Sequence, residues 1–124
     1  MKKFSQLSEK VIGAAIEVHK ALGPGLLEST YQQCLAHELS INNIRFKMEH
    51  PIPINYKGVN LDCGYRLDLF IEDQIIVELK SVETIKPIHQ AQLLSYMKLA
   101  NISQGFLINF NVELLKHGLK SFVL

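Results

Sequence analysis

Three charged residues in the segment YRLDLFIEDQIIVELKS have the types and spacing to act on a charged substrate. Asp68 interrupts one apolar stretch, and Glu78 and Lys80 follow in the next. Residues two apart in a strand share a face, so Glu78 and Lys80 are predicted to point the same way. If Asp68 lies opposite Glu78, the two carboxylates can share one cation; without a cation, one of them must take up a proton. The alternative is a cross-strand ion pair in which Lys80 neutralises one acid at the sheet surface.

This placement requires a particular hairpin. Pairing Asp68 with Glu78 also pairs Ile71 with Ile75 and leaves residues 72–74 as a three-residue loop. A two-residue loop would turn Glu78 to the opposite face of the sheet. The hypothesis therefore requires an odd loop length or a compensating bulge.

Polar residues on two helices are further candidates. Glu28, in GPGLLESTY, opens a helix, whose positive end favours a carboxylate, although simple capping also explains an acid there. Gln92 and Tyr96 lie four apart, on one face of an otherwise apolar helix. A buried glutamine needs hydrogen-bond partners, which the carboxylates or a bound water could supply; the alternative is a surface glutamine beside a core tyrosine. The all-oxygen ligands of such a site suit Mg²⁺ or Mn²⁺ better than zinc.

The elements that must position these residues follow from the period of the apolar side chains. Helices are predicted at 7–22, 26–42 and 87–100, and strands at 44–56, 59–71, 75–81, 104–110 and 119–124. Short links make the first three strands antiparallel, and the helical crossover makes the fourth parallel to the third. Pro51 and Pro53 predict a break within the 44–56 strand and an edge position for it, and Gly64 indicates a bulge in the next strand. One α/β domain spanning 1–124 is expected, in the order α-α-β-β-β-α-β-β.

The charge balance neither excludes nor requires a polyanionic partner. The net charge is +1, so any contact with nucleic acid must come from a local basic patch. Arg45, Lys47, Lys57 and Arg66 fall on the strands beside the candidate site and could form it, although solvated strand faces explain them equally simply.

Composition also bears on the compartment. No apolar run approaches the ~20 residues that span a membrane, and no apolar run follows the N-terminal lysines as in a signal peptide. Cys34 and Cys63 lie among apolar neighbours and are predicted to be buried, reduced thiols. We therefore expect a cytoplasmic protein with no membrane partner.

In combination, these residues resemble the PD-(D/E)XK nuclease superfamily. Its pattern corresponds here to Asp68, then Glu78-x-Lys80. The later pair Gln92-x-x-x-Tyr96 is similar to the additional motif of the exonuclease-like branch. No single motif is specific, whereas the combination is.

A second resemblance is to the GxxExxY proteins placed in that superfamily. Gly25-x-x-Glu28-x-x-Tyr31 carries it, together with GFLINF after the third helix. The similarity extends over 11–124, nearly the whole chain. One departure is Leu67, which stands where a proline usually precedes the first aspartate.

The resemblance implies a restriction-endonuclease-like core, with a mixed central sheet flanked by helices. It also implies a metal site in which Asp68, Glu78 and the backbone carbonyl of Leu79 hold Mg²⁺ or Mn²⁺. Glu28 would be a further acidic ligand of the metal, either directly or through a water molecule.

The resemblance implies catalytic roles as well. Lys80 would orient or deprotonate the attacking water, and Gln92 would position that water or a substrate phosphate with support from Tyr96. The expected function is a Mg²⁺-dependent nuclease acting on DNA or RNA, with DNA favoured. The alternative is a catalytically weak or inactive domain that binds nucleic acid or another protein. Because specific interfaces with DNA bury ~1,000 Å² or more, so small a chain is expected to act as a homodimer or with a partner protein.

Overall fold

The computed structural model describes residues 5–124. Apart from one 3-10 turn, the regular elements within this range are three helices and seven strands. They are α1 (Gln6–Leu22), α2 (Glu28–Ile41), β1 (Phe46–Pro51), β2 (Ile54–Tyr56), β3 (Val59–Leu61), β4 (Arg66–Ile71), β5 (Ile75–Lys80), α3 (Pro87–Ala100), β6 (Gln104–Asn109) and β7 (Leu119–Val123).

Five strands form a mixed sheet in the order β1-β4-β5-β6-β7. The β5–β6 pair is parallel and the other neighbours are antiparallel. Helix α3 connects the two parallel strands, as a parallel connection requires. The predicted mixed sheet, with its antiparallel start and its parallel crossover, is confirmed.

Helices cover both faces of this sheet, and each face has its own apolar core. Helices α1 and α2 pack on one face against β-strand residues that include Leu69, Val77 and Ile108. Helix α3 packs on the other face. The approach of α3 to β6 is close, because a Cβ atom added at Gly105 would lie 2.8 Å from the Met97 sulfur. The central strands are therefore buried on both sides, which explains their nearly continuous apolar sequences.

Two of the predicted strands are each divided in two. The break predicted in the 44–56 strand is confirmed: the strand divides after Pro51, because prolines at 51 and 53 cannot donate ladder hydrogen bonds. The 59–71 strand breaks between Leu61 and Arg66, so that β2 and β3 form a separate hairpin. The corrected order has five strands before α3 rather than three. The predicted edge position is confirmed, since β1 is the outer strand of the main sheet.

The loop between β3 and β4 corrects two smaller predictions. Gly64 has a φ of +82° and lies in this loop rather than in a bulge, with its N–H donated to the Asp62 side chain. Cys63, in the same loop, is exposed, although burial was predicted; both cysteines are free thiols. Across the described residues, no helix is long and apolar enough to cross a membrane.

Candidate catalytic site

The β4–β5 hairpin has the register that the candidate site requires. Ile71 pairs with Ile75, and Leu69 with Val77. The predicted three-residue loop at 72–74 is confirmed. Two of its residues, Glu72 and Asp73, have positive φ angles of 52° and 54°. Extending this register by one step places Asp68 opposite Glu78.

At Asp68 the regular backbone hydrogen bonding between β4 and β5 stops. From there, carboxylate side chains accept the backbone N–H groups of the opposite strand. The Asp68 N–H donates to the Glu78 carboxylate at 2.9 Å, and the Leu79 N–H donates to the Asp68 carboxylate at 2.8 Å. Leu67 packs in the α3 core whereas Leu69 packs in the α1/α2 core, although residues two apart normally share a face. The strand alternation therefore breaks at Asp68, and its carboxylate lies at the opening between the two strands.

Burial makes this pair of acids electrostatically unusual. Glu78 is only 7% exposed, and its burial, reinforced by the Asp68 charge, raises its pKa to about 8. Burial also raises the pKa of Asp68, while the hydrogen bond from the Leu79 N–H acts in the opposite direction. The Lys80 charge lowers the pKa of both acids but does not cancel either rise. At neutral pH the pair therefore requires a proton or a cation.

The GPG turn is held by Tyr31, which explains the spacing of this motif. The Tyr31 ring is fully buried and stacks on Phe110, with ring centroids 4.4 Å apart. Its hydroxyl donates to the Gly23 carbonyl and accepts from the Leu26 N–H at 3.1 Å. Gly23 and Gly25 have φ angles of 70° and 96°, which favour glycine. The folded turn allows α2 to begin at Glu28.

Glu28 begins α2 and lies near Asp68. Its carboxylate accepts from the Ser81 N–H at 3.2 Å, and the Ser81 hydroxyl donates to the Leu26 carbonyl at 2.6 Å. These contacts attach the start of α2 to the chain just beyond Lys80. Glu28 lines a pocket of about 250 Å³ together with Asp68 and Leu79, and its charge contributes to the raised pKa of Asp68.

Two residues of this acidic pocket were missed by the sequence analysis. Glu49 and Gln32 line it, and the Gln32 amide donates both to the Glu49 carboxylate at 2.7 Å and to the Asp68 carbonyl at 2.9 Å. Glu49 has a φ of 51° in the middle of β1, where the β1–β4 register would pair it with Asp68. Only the pairing of β1 with β4 could have indicated that Glu49 lies near Asp68, and the spacing of apolar residues in the sequence does not reveal that pairing.

Asn109, at the end of GFLINF, was missed as well. It is 3% exposed, and its side chain accepts from the Val82 N–H at 3.1 Å and donates to the Val82 carbonyl at 2.9 Å. The neighbouring Phe110 N–H donates to the Lys80 carbonyl at 2.9 Å. Strand β6 thereby fixes the path of the chain immediately after Lys80.

The two candidates on α3 lie on the other side of the acids. Tyr96 is buried in the α3 core, and burial raises its pKa, with the Glu78 charge as the next cause. Gln92 is exposed, so the expectation of a buried glutamine is wrong and the alternative, a surface glutamine beside a core tyrosine, describes the pair. Gln92 lines a second, larger pocket together with Tyr65 and Tyr96, rather than the acidic one. Tyr96 therefore adjoins the acid pair, whereas Gln92 lies one step further away.

The proposed basic patch is largely paired with acids. Arg45 contacts Glu72 at 2.9 Å, Lys47 contacts Asp73 at 3.1 Å and Arg66 contacts Asp62 at 3.4 Å. The Lys57 ammonium lies 5.4 Å from the centre of the Tyr56 ring. These cations do not form a free positive surface next to the carboxylates.

A divalent ion fits the site by the chemistry of its donors. The acidic pocket offers carboxylate and backbone oxygens, the ligands that Mg²⁺ and Mn²⁺ prefer. Within residues 5–124, however, no three His, Cys, Asp or Glu side chains already stand together as a ligand cluster. The predicted ligand set thus remains a prediction, with Glu28 bonded to the Ser81 amide rather than grouped with the acid pair.

Comparison with known proteins gives one result. The family model of the PD-(D/E)XK nuclease superfamily matches residues 5–122, a range that includes every candidate site residue. No curated protein and no solved structure matches the chain significantly. The mixed five-stranded sheet with helices on both faces is accordingly a restriction-endonuclease-like fold. The chain belongs to the PD-(D/E)XK nuclease superfamily.

Proposed function

We propose that this chain is a metal-dependent nuclease that hydrolyses phosphodiester bonds in DNA or RNA, with DNA as the first choice. The observation that carries the proposal is the pair of buried acids at the interrupted end of the β4–β5 hairpin. Asp68 and Glu78 each accept a backbone N–H from the opposite strand, and Lys80 lies near enough to lower the pKa of both. A buried acid pair is costly unless a cation relieves its charge.

Asp68, Glu78 and the Leu79 carbonyl would hold Mg²⁺ or Mn²⁺, with Glu28 acting through a water molecule. The bound ion supplies an acidified water as nucleophile and neutralises charge on the phosphate. The backbone N–H bonds to both carboxylates fix their orientation before any ion arrives. Such preorganisation lowers the cost of assembling the site.

Lys80 would orient or deprotonate the attacking water. It alternates with Leu79, whose side chain is in the α1/α2 core, and so shares the Glu78 side of β5. Gln92 would position the water or a substrate phosphate, supported by Tyr96.

The test is a cleavage assay on single- and double-stranded DNA and RNA, with Mg²⁺, Mn²⁺ or EDTA. Metal-dependent cleavage is expected for the natural protein, and a loss of about 10²- to 10⁴-fold for Lys80→Ala. Lys47→Ala is the matched control, because Lys47 pairs with Asp73 at the far end of the hairpin. Equal background cleavage by the natural protein and Lys80→Ala would contradict the proposal. Binding without cleavage would identify a nucleic-acid-binding domain instead, and neither binding nor cleavage a protein-interaction module.

We further propose that the protein acts in the cytoplasm, as a homodimer or with a partner protein. Two free thiols, one of them exposed, suit a reducing compartment. The chain is small relative to the area that specific DNA interfaces bury. Analytical ultracentrifugation with and without an oligonucleotide tests the homodimer; a monomer in both conditions would contradict the homodimer and leave the partner protein as the proposal.

A further inference from the structure

A second pocket lies on the α3 side of the sheet and differs in character from the acidic one. It has a volume of about 550 Å³ and is lined by aromatic, apolar and uncharged polar residues. Among the lining residues that the structure describes, none is Asp, Glu, Lys or Arg. We call it the aromatic pocket; the residues used below are Tyr65, His89, Gln92 and Tyr96.

The aromatic pocket lies on the side of the sheet that Glu78 faces, because Glu78 alternates with Val77 and Leu79 of the α1/α2 core. Glu78 pairs with Leu107 on β6, and Leu107 packs in the same core as Tyr96, which forms one wall of the pocket. The opposite wall is Tyr65, whose ring centroid lies 5.9 Å from that of Tyr96. Tyr65 is also only three residues before Asp68. A base stacked on the exposed ring of Tyr65 would therefore lie on the Glu78 side of the sheet, near the strand that carries Asp68.

The lining of the pocket suits a nucleobase rather than a phosphate. The Tyr65 side chain is 43% exposed, so its ring is accessible for stacking. His89 and Gln92 add hydrogen-bonding groups to the lining. Stacking of bases on aromatic side chains is a general way to hold single strands, because every base has a π-face.

The charges nearby favour an unpaired strand over a continuous duplex. Duplex binding depends on free cations that contact phosphates, whereas Arg45, Lys47 and Arg66 pair with acids. A base inside a duplex is stacked on both faces and cannot enter a side pocket without being flipped out. Stacking in the aromatic pocket is consequently available only to a base that is already unpaired.

We propose that the aromatic pocket holds one unpaired base of the substrate, so that the nuclease acts on single-stranded nucleic acid or unpaired ends. This inference rests on the proposed function for the position of the phosphate. It assigns Tyr65, a residue outside the acidic site, as the stacking platform and the determinant of strand preference.

The test is fluorescence anisotropy with a 12-nucleotide single strand and with the duplex of the same sequence. Ca²⁺ replaces Mg²⁺, and gels confirm that the oligonucleotides stay intact. The natural protein should bind the single strand more tightly. Tyr65→Ala should weaken single-strand binding roughly 5- to 100-fold and duplex binding less than twofold. Tyr65→Phe should retain binding, since it keeps the ring.

Tyr56→Ala is the matched control, because Tyr56 is an exposed tyrosine on the neighbouring hairpin outside the pocket. Equal binding of single strand and duplex, or unchanged single-strand binding by Tyr65→Ala, would overturn the inference. A change from dimer to monomer in Tyr65→Ala, seen by sedimentation without nucleic acid, would show that a second copy occupies the pocket, and would also overturn it.

The outcome is separable from that of the proposed function. If metal-dependent cleavage depends on Lys80 but not on Tyr65, the nuclease stands and the aromatic subsite fails. If Tyr65 controls single-strand binding while no metal supports cleavage, the catalytic proposal fails alone.

Discussion

The two ends of the β4–β5 hairpin use the same strands in opposite ways. Near the turn, Ile71 and Ile75 pair in a regular antiparallel ladder. At the other end, the carboxylates of Asp68 and Glu78 accept the backbone N–H groups of the opposite strand. The turn end gains stability from regular backbone pairing. At the open end, the end that carries Asp68 and Glu78, regular backbone pairing is replaced by hydrogen bonds that orient the two carboxylates.

The acids at the two ends show the same contrast. At the turn, hydrogen bonds from the Arg45 backbone and side chain lower the pKa of Glu72. At the open end, burial raises the pKa of Glu78. An acid such as Glu72, which forms an ion pair with a basic side chain of the same protein, serves the fold. A buried acid facing another acid is instead ready to bind a cation from solution.

The sharpest test of this contrast is amide substitution at both ends. Asp68→Asn should reduce metal-dependent cleavage by about 10³-fold or more, because a metal ion contributes several kcal/mol to charge stabilisation. Glu72→Gln should leave cleavage within about twofold, although it weakens the contact with Arg45. Initial rates at saturating Mg²⁺, beside thermal melts of both variants, measure the difference. Similar rates for the two variants would remove the functional distinction between the ends.

The second effect concerns how stability depends on pH in EDTA. Between about pH 4.5 and 8, folded Glu78 holds a proton that the unfolded chain releases. The free energy of unfolding should therefore fall as pH rises through this window, by roughly 1 kcal/mol per unit. The stabilisation is complete below the unfolded pKa and is lost through the folded pKa.

Urea unfolding at pH 5, 6, 7 and 8 checks this slope against Glu78→Gln, which should flatten it. Mg²⁺ should restore stability at pH 8 in the natural protein and less in the variant. Glu72→Gln is the control: the lowered pKa of Glu72 contributes stability that is lost only as pH falls below about 4.5, so this variant should leave the slope between pH 5 and 8 unchanged. Parallel curves for the natural protein and Glu78→Gln would contradict the assignment of Glu78 as the titrating group.

The third effect tests whether β6 holds the open end in place. Asn109→Ala should cost about 1–3 kcal/mol of unfolding free energy, because the partly buried Val82 N–H loses its partner and the Val82 carbonyl loses one of its two donors. The cleavage rate should fall by more than the loss of folded protein explains, because the chain that follows Lys80 is no longer held by Asn109. Asn55→Ala, on the separate β2–β3 hairpin, is the control and should leave cleavage unchanged. Full activity in a destabilised Asn109→Ala would restrict Asn109 to a folding role.

Much of this arrangement was predictable because it follows from the spacing of apolar residues along the sequence and from the lengths of the links between helices and strands. The hairpin register came from the requirement that Asp68 and Glu78 share a site, and the parallel pair from the helical crossover. Contacts with no periodic signal were missed. Glu49 depends on the pairing of two distant strands and on a positive φ, and Asn109 bonds the backbone of a loop. The direction of Gln92 was also unpredictable, because α3 is apolar nearly all round.

The smallest effect tests the attachment of α2 at the open end. Tyr31→Phe keeps the ring stacked on Phe110 but removes the hydroxyl that bonds Gly23 and Leu26. The loss should be about 1 kcal/mol in unfolding free energy. Cleavage should fall about tenfold, because the turn that places Glu28 against Ser81 is loosened and one tenfold step corresponds to ~1.4 kcal/mol. Tyr56→Phe, an exposed ring on the hairpin, should change neither quantity. If Tyr31→Phe loses stability but no activity, the GPG turn serves the fold alone, and Glu28 contributes nothing to the chemistry at the open end.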